Sequence, residues 1–244
     1  MAEEHHGIAR KKQVRDMAAR LGVADFVYFA PQASKGNAQR EVAGDGLLLV
    51  GNRGAVLQVK SRDPSHGVRD SAERAKAWIK KNAANAMAQG LGTKREIARR
   101  YEIGEPLQVY PVRATELPAE TRKRYQSIVS RDTQDWPVIV ILDHPQMPQV
   151  DLTFVPGVVW FGFSDWWELQ RRLRSTSATI DYVHRILSDG VHVALWQESE
   201  RYAALRAADE DSARMSPTGA PYLAHQSQFD ELGTDIYHDV INKV

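Results

Sequence analysis

The chain has 244 residues, of which 43% are hydrophobic and 26% charged, and its 32 Lys and Arg almost cancel its 31 Asp and Glu. It is too apolar and too evenly charged to be disordered, long enough for one large domain or two small ones, and no general polycation, so a nucleic-acid surface on it has to be a local patch. It has no cysteine, which excludes disulfides, thiolate zinc sites, iron–sulfur clusters and cysteine nucleophiles.

The N-terminus carries no apolar core of signal-peptide length, and the longest apolar runs, Val138 to Leu142 and Val155 to Phe163, fall far short of a membrane span. These features read as a soluble, cytoplasmic protein with no membrane contact. His5 and His6 read as terminal sequence and not as a metal site. Residues 10–21 predict a helix with Val14, Met17, Ala18 and Leu21 on one face. Asp25 to Phe29 predicts a strand, and the polar, Gly-containing stretch Pro31 to Arg40 a loop. Gly46–Val50 and Ala55–Lys60, separated by Gly51-Asn52-Arg53-Gly54, predict a hairpin. Arg62 to Asp70 is a loop, and an alanine-rich helix runs from Ser71 to about Gly90. Further strands are expected at Leu107–Val112, Val138–Asp143 and Val158–Phe163.

Ser164 is the expected N-cap of a helix carrying Trp166, Trp167, Leu169 and Leu173. A second helix spans about Ala178 to Leu187, and Val191–Trp196 is a short strand. A charged helix runs from Glu198 to about Asp211, before a loop at Ser216 to Gly219. There is no internal repeat and no low-complexity tract. The mixture of strands and helices argues an α/β or α+β fold with a mixed sheet. The domain boundary falls after residue 197, with residues 198–244 a helical C-terminal extension. The chain ends within the patterned segment IYHDVINKV, as a piece cut from a longer protein would.

The hairpin carries the chemistry. Whether its loop is Asn52-Arg53 or the whole of residues 51–54, the register is the same, with Asp45 opposite Lys60 and Leu47 opposite Gln58. Opposed residues project to one face with Cβ atoms about 5 Å apart. One face then collects Asp45, Gln58 and Lys60, joined by Glu41 if the strand begins that early. Leu48, Val50, Leu57 and Val59 point into a core. A carboxylate and a lysine among apolar β-residues are rarely buried unless paired or bound to a metal. The bland alternative is an Asp–Lys cross-strand pair on a solvated face.

The pattern Asp45 … Gln58-Val59-Lys60 resembles the signature of the restriction-endonuclease-like nucleases, the PD-(D/E)xK superfamily. Its glutamine resembles the Mrr-like branch, in which Q-x-K replaces E-x-K. The polar loop and the helix with Trp78, Lys80, Lys81 and Gln89 extend the resemblance over residues 10–100. Beyond them, Phe163-Ser164-Asp165 and Ile180-Asp181-Tyr182 resemble nuclease-like proteins more loosely. The resemblance implies a mixed central sheet flanked by helices and a Mg²⁺- or Mn²⁺-dependent nuclease. By position, Asp45 is the main metal ligand, Gln58 ligates through its side-chain oxygen, Val59 and the upstream Glu41 belong to the metal set, and Lys60 is the catalytic cation. The chemistry suits these residue types. A hard cation takes oxygen ligands, acidifies bound water and neutralises phosphate charge, while lysine is a compact point charge for a phosphate oxygen. Two positions depart from the pattern. Gln58 brings no negative charge, which lowers metal affinity, and Gly44 stands where the signature has proline.

A locally basic segment follows. Arg74, Lys76, Lys80 and Lys81, with Lys94, Arg95, Arg99 and Arg100 further on, form the kind of patch that neutralises phosphates, and a solvated helix face is the alternative. Ala75, Ile79, Ala83, Ala86 and Gly90 form a small-residue stripe fit for close packing on a sheet. No signature of sequence-specific nucleic-acid reading is present. Trp160, Trp166 and Trp167 read as core more than as a base-stacking platform. His144 reads as a turn residue, and His184 and His192 have no partner at metal-ligand spacing. Phosphate-loop, dinucleotide and serine-hydrolase motifs are absent. The expected function is therefore a metal-dependent endonuclease acting on nucleic acid, DNA in preference, in restriction or phage defence, alone, as a homo-oligomer or in a larger defence assembly. The competing expectation is a catalytically degenerate nuclease fold that binds nucleic acid or a protein partner.

Overall fold

The computed structural model describes residues 2–21, 27–28, 32–35, 38–41, 45–105, 107–112, 127–129, 133–190 and 194–215. Its contacts divide the chain into two units, Met1–Trp196 and Gln197–Val244. In the first unit α1 (Ala2–Leu21) precedes β1 (Val27–Tyr28), β2 (Gln32–Lys35), β3 (Ala38–Glu41), β4 (Gly46–Val50) and β5 (Arg53–Ser61). A short turn of helix α2 (Pro64–Gly67) leads into the long α3 (Ala72–Glu102), followed by β6 (Leu107–Val109), β7 (Ser127–Val129), β8 (Val138–Asp143), β9 (Val158–Gly162), α4 (Phe163–Leu173) and α5 (Thr176–Asp189). In the second unit α6 covers Glu198–Met215, where Glu198 pairs with Arg201 one turn on. No helix among the described residues is long and apolar enough to cross a membrane.

The fold is mixed α/β, a five-stranded mixed sheet in the order β1-β4-β5-β8-β9, flanked by helices. β1, β4 and β5 are antiparallel, and β5, β8 and β9 are parallel. The parallel half needs a crossover from β5 to β8, and α3 supplies it. β8 is buried on both faces from Val138 to Leu142, which is why its sequence reads as a continuous apolar run. On one face Leu47, Leu49, Val56, Val138, Val140 and Leu142 pack with Ile79, Ala83, Ala86 and Ile97 of α3. The alternate residues Leu48, Ala55, Leu57, Val59, Ile139, Ile141, Val159 and Phe161 are buried too. They belong to the opposite face, the side of the sheet and helix contacts made by α1, α4 and α5. Leu48, Leu57 and Val59 thus lie in a core as expected, and Val50 is half-buried.

α3 seats on the sheet through its small residues. Ala75, Ile79, Ala83, Ala86 and Gly90 are all buried. A Cβ at Gly90 would lie 2.3 Å from Val138 Cγ1 and 3.2 Å from Gln58 Cγ, so the glycine lets the helix backbone reach the sheet. The helix therefore runs on past Gly90 to Glu102, whereas the sequence reading stops it there.

Other expectations are corrected. Residues 32–35 and 38–41 are not a loop but an antiparallel pair, with Lys35 opposite Ala38. β6 pairs with β7, a strand that the sequence reading does not mark. Ser164 is not an N-cap: Gly162 is, and Asp165 Oδ2 accepts from its N–H at 3.0 Å. Gly162 is required there because a Cβ would meet the Trp196 ring at 2.0 Å. Trp166 is fully buried, while Trp167 is 45% exposed. Residues 194–196 form no strand, and residues 191–193 and the loop expected at 216–219 lie outside the described residues.

Candidate functional site

The β4–β5 hairpin turns one residue earlier than the two-residue loop Asn52-Arg53 that its sequence suggests. Val50 pairs with Arg53, so the connection is Gly51-Asn52, and Gly51 takes φ +59° at the first turn position. The register runs through Leu48↔Ala55 to Gly46↔Leu57. Asp45 stands just before the first pair, and its N–H donates to Leu57 O at 3.0 Å. It is therefore beside Leu57 and Gln58 and not opposite Lys60. The displacement from the expected register is two residues, and an even slip keeps every side chain on its own face.

Gln58 and Lys60 do share the α3 face. Gln58 is 1% exposed with its Cγ against Gly90, and Lys60 Nζ donates to Gln89 Oε1 of α3 at 2.7 Å. The Asp45 carboxylate is placed differently. Its Oδ2 accepts the Val59 main-chain N–H at 2.7 Å, and its Oδ1 lies 2.7 Å from Lys11 Nζ of α1. A strand N–H points along the sheet, so the carboxylate lies at the end of β4 in the line of the ladder, where β5 continues unpaired on that side. Main-chain N–H and C=O of one strand residue face the same edge, so the Val59 carbonyl faces this gap as well. Burial pushes the Lys60 ammonium below the ordinary lysine range; Asp45 opposes that shift and Lys11 adds to it.

Glu41 ends β3, paired with Gln32 in a separate two-stranded sheet, and its side chain lies outside the described residues. The basic residues of α3 lie on its solvent side. Arg74, Lys76, Lys80 and Lys81 are all exposed. At about 100° per residue, Lys80 lies about 180° and Lys76 about 140° round the helix from Gln89, while Arg74 and Lys81 lie within about 80°. Counted in one direction Arg74, Lys81, Lys80 and Lys76 fall at about 60°, 80°, 180° and 220°, so the four share one arc of about 160° on the exposed side of α3.

The cations in contact with Asp45 and Asp143 come from α1, a helix whose sequence marks only its apolar face. Besides Lys11, Arg15 Nη1 donates to Asp45 O at 2.6 Å, and Arg10 Nε lies 2.7 Å from Asp143 Oδ2 with its guanidinium 4.1 Å above the Phe163 ring. His6, read as terminal sequence, has Nε2 2.9 Å from Ser61 Oγ, and Ser61 Oγ donates to Asp143 Oδ2 at 2.6 Å. The signal that could have found them is their i, i+4 spacing, His6 with Arg10 and Lys11 with Arg15, which puts each pair on one helix face.

His144 does open a turn, with Met147 N–H donating to its carbonyl at 2.9 Å, and it is also buried. Its Nδ1 accepts from Gln146 N at 3.2 Å, its Nε2 lies 3.4 Å from Asp70 Oδ2, and its ring tilts against Trp78 at 5.5 Å. Burial lowers the affinity of this ring for a proton. These contacts tie the loop before α3 to the end of β8. At the turn end of the hairpin, far along β5 from Lys60, Arg53, Asp135, Trp136, Asp181 and His184 line an open cavity of about 320 Å³, in which Arg53 pairs with Asp181.

Among the described residues no three His, Cys, Asp or Glu side chains come together as a metal-binding group. The Asp45 carboxylate and the Val59 main chain meet at the end of β4, and the Gln58 amide stands next to Val59 on the α3 face. Oxygen donors of these kinds suit a hard divalent ion that keeps several waters. Comparison with family models, with curated proteins and with solved structures finds no match to this chain.

Proposed function

We propose that the chain is a metal-dependent nuclease of the restriction-endonuclease-like type, hydrolysing phosphodiester bonds in nucleic acid, DNA in preference. The observation that carries this reading is the convergence of the Asp45 carboxylate and the neighbouring main chain of Val59 at one strand end, with Gln58 and Lys60 on either side of that residue. Asp45, the Val59 carbonyl and Gln58 would hold Mg²⁺ or Mn²⁺, which supplies an acidified water and charge neutralisation on the phosphate. Val59 N–H fixes the carboxylate, so that one oxygen is oriented by the main chain itself. Lys60, held by Gln89 and partly desolvated, stabilises the charge that develops on the scissile phosphate. Arg10 and Arg15 add positive charge beside the strand ends for the flanking phosphates. A role in restriction or phage defence, and assembly into an oligomer, belong to the same proposal.

The test is cleavage of supercoiled plasmid with Mg²⁺ or Mn²⁺, with and without a chelator. Wild type nicks only with metal, Asp45→Ala falls to the chelated level, and Lys60→Ala loses a factor of about 10² to 10³. Metal-dependent nicking that survives both substitutions overturns the assignment. A second reading, a degenerate fold that only binds nucleic acid or a partner, is favoured by one observation: among the described residues the Asp45 carboxylate is engaged by Lys11, and no three acidic or histidine side chains gather there. It predicts no Mn²⁺ binding that depends on Asp45.

A further inference from the structure

We propose that Lys11 is the resident counter-ion of Asp45, a positioning residue that competes with the divalent cation for Oδ1 and sets the affinity of the site; this rests on the metal-dependent reading above. Lys11 Nζ is 2.7 Å from Oδ1, and the Asp45 side chain is only 10% exposed, so water has little access to that oxygen while the lysine is in place. The other oxygen is committed to the Val59 main chain, a bond that no side-chain exchange removes. A cation therefore enters at Oδ1. Lys11 and Lys60 both lie near this one carboxylate, and their joint positive charge opposes a divalent ion. Moving Lys11 aside relieves that repulsion and frees the oxygen together.

The lysine can move without taking its helix along. α1 is fixed by Val14, Met17 and Ala18, which are buried, by Trp166 Nε1 donating to Val14 O at 3.4 Å, and by the Arg10 and Arg15 contacts at 2.7 and 2.6 Å. Only a flexible four-carbon stem has to rotate. Lys12, the next residue, is paired to Asp16 at 2.6 Å on the exposed side and is the matched control for loss of one positive charge.

The experiment is calorimetric titration of Mn²⁺ into the full chain at low ionic strength, for wild type, Lys11→Gln, Lys11→Arg, Lys12→Gln and Asp45→Asn, with thermal unfolding to verify that each is folded. Lys11→Gln is expected to bind Mn²⁺ about three- to tenfold more tightly than wild type, the scale of a partly exposed ion pair. Lys11→Arg stays within about twofold of wild type, Lys12→Gln likewise, and Asp45→Asn loses the binding. Lys11→Gln binding no tighter than wild type, or Lys12→Gln tightening as much, overturns the role of Lys11 while Asp45-dependent binding leaves the metal reading standing. If neither wild type nor Lys11→Gln shows binding that Asp45→Asn removes, the metal reading falls and this inference with it.

Discussion

Gln58 is almost fully buried, sits against Gly90, and has a neutral side-chain amide. Among the described residues, Asp45 is the formal negative charge that faces Lys11 and Lys60. Divalent affinity follows the charge count of the ligands. Gln58→Glu is accordingly expected to tighten Mn²⁺ binding by about tenfold or more, read by calorimetry. Unchanged affinity would show that this side chain is no ligand. These residues were legible in the sequence because their types and spacing are unusual for a strand. The partners of Asp45 were not. Lys11 and Val59 N–H reach it across elements and through the main chain, and neither contact leaves a mark in the spacing of Asp45, Gln58 and Lys60.

At the scale of the element, α3 shows which patterns survive folding. Its apolar stripe was legible because burial repeats with the helix period, and each of Ala75, Ile79, Ala83, Ala86 and Gly90 is buried. Its end was not, because glycine reads locally as a helix stop while here it answers to Val138 on β8. The competition between propensity and contact can be measured. Gly90→Ala gains about 1 kcal/mol of helix propensity and meets Val138 Cγ1 at 2.3 Å, so it is expected to destabilise by about 1–3 kcal/mol in urea unfolding. Gly92→Ala, whose Cβ has only Arg95 Nη2 at 3.9 Å, should stabilise by up to about 1 kcal/mol. Equal behaviour of the two would contradict the close seating at Gly90. The hairpin teaches the same lesson. Neither loop reading of residues 51–54 is the Gly51-Asn52 turn that forms, yet the two-residue slip leaves the faces unchanged, so the partition of Gln58 and Lys60 from Leu57 and Val59 holds. The expected loop at 31–40 failed for a different reason: its β2–β3 pair is mostly polar, with alanine only at Ala33 and Ala38, and carries no apolar alternation to read.

For the first unit as a whole, the mixed α/β class was legible from the alternation of apolar runs and helical stretches, and the structure bears it out. The strand order was not, since nothing local in β5 and β8 says that they are neighbours joined by parallel pairing across the whole of α3. That pairing decides the chemistry available. It puts Ser61 beside Asp143, and among the described residues no strand pairs with β5 beyond Leu57 on its other edge, where α1 brings a row of basic residues. The electropositive neighbourhood of the cluster is therefore built from α1, while α3 supplies Gln89 and the floor. The arrangement as a nuclease centre is tested most directly by a crystal of the chain soaked in Mn²⁺ and measured at a wavelength where manganese scatters anomalously. The account predicts an anomalous peak in contact with the Asp45 carboxylate, on the side of the Val59 carbonyl and Gln58, with Lys11 turned away. A map with no peak at Asp45, and Lys11 still paired to it, would contradict the account.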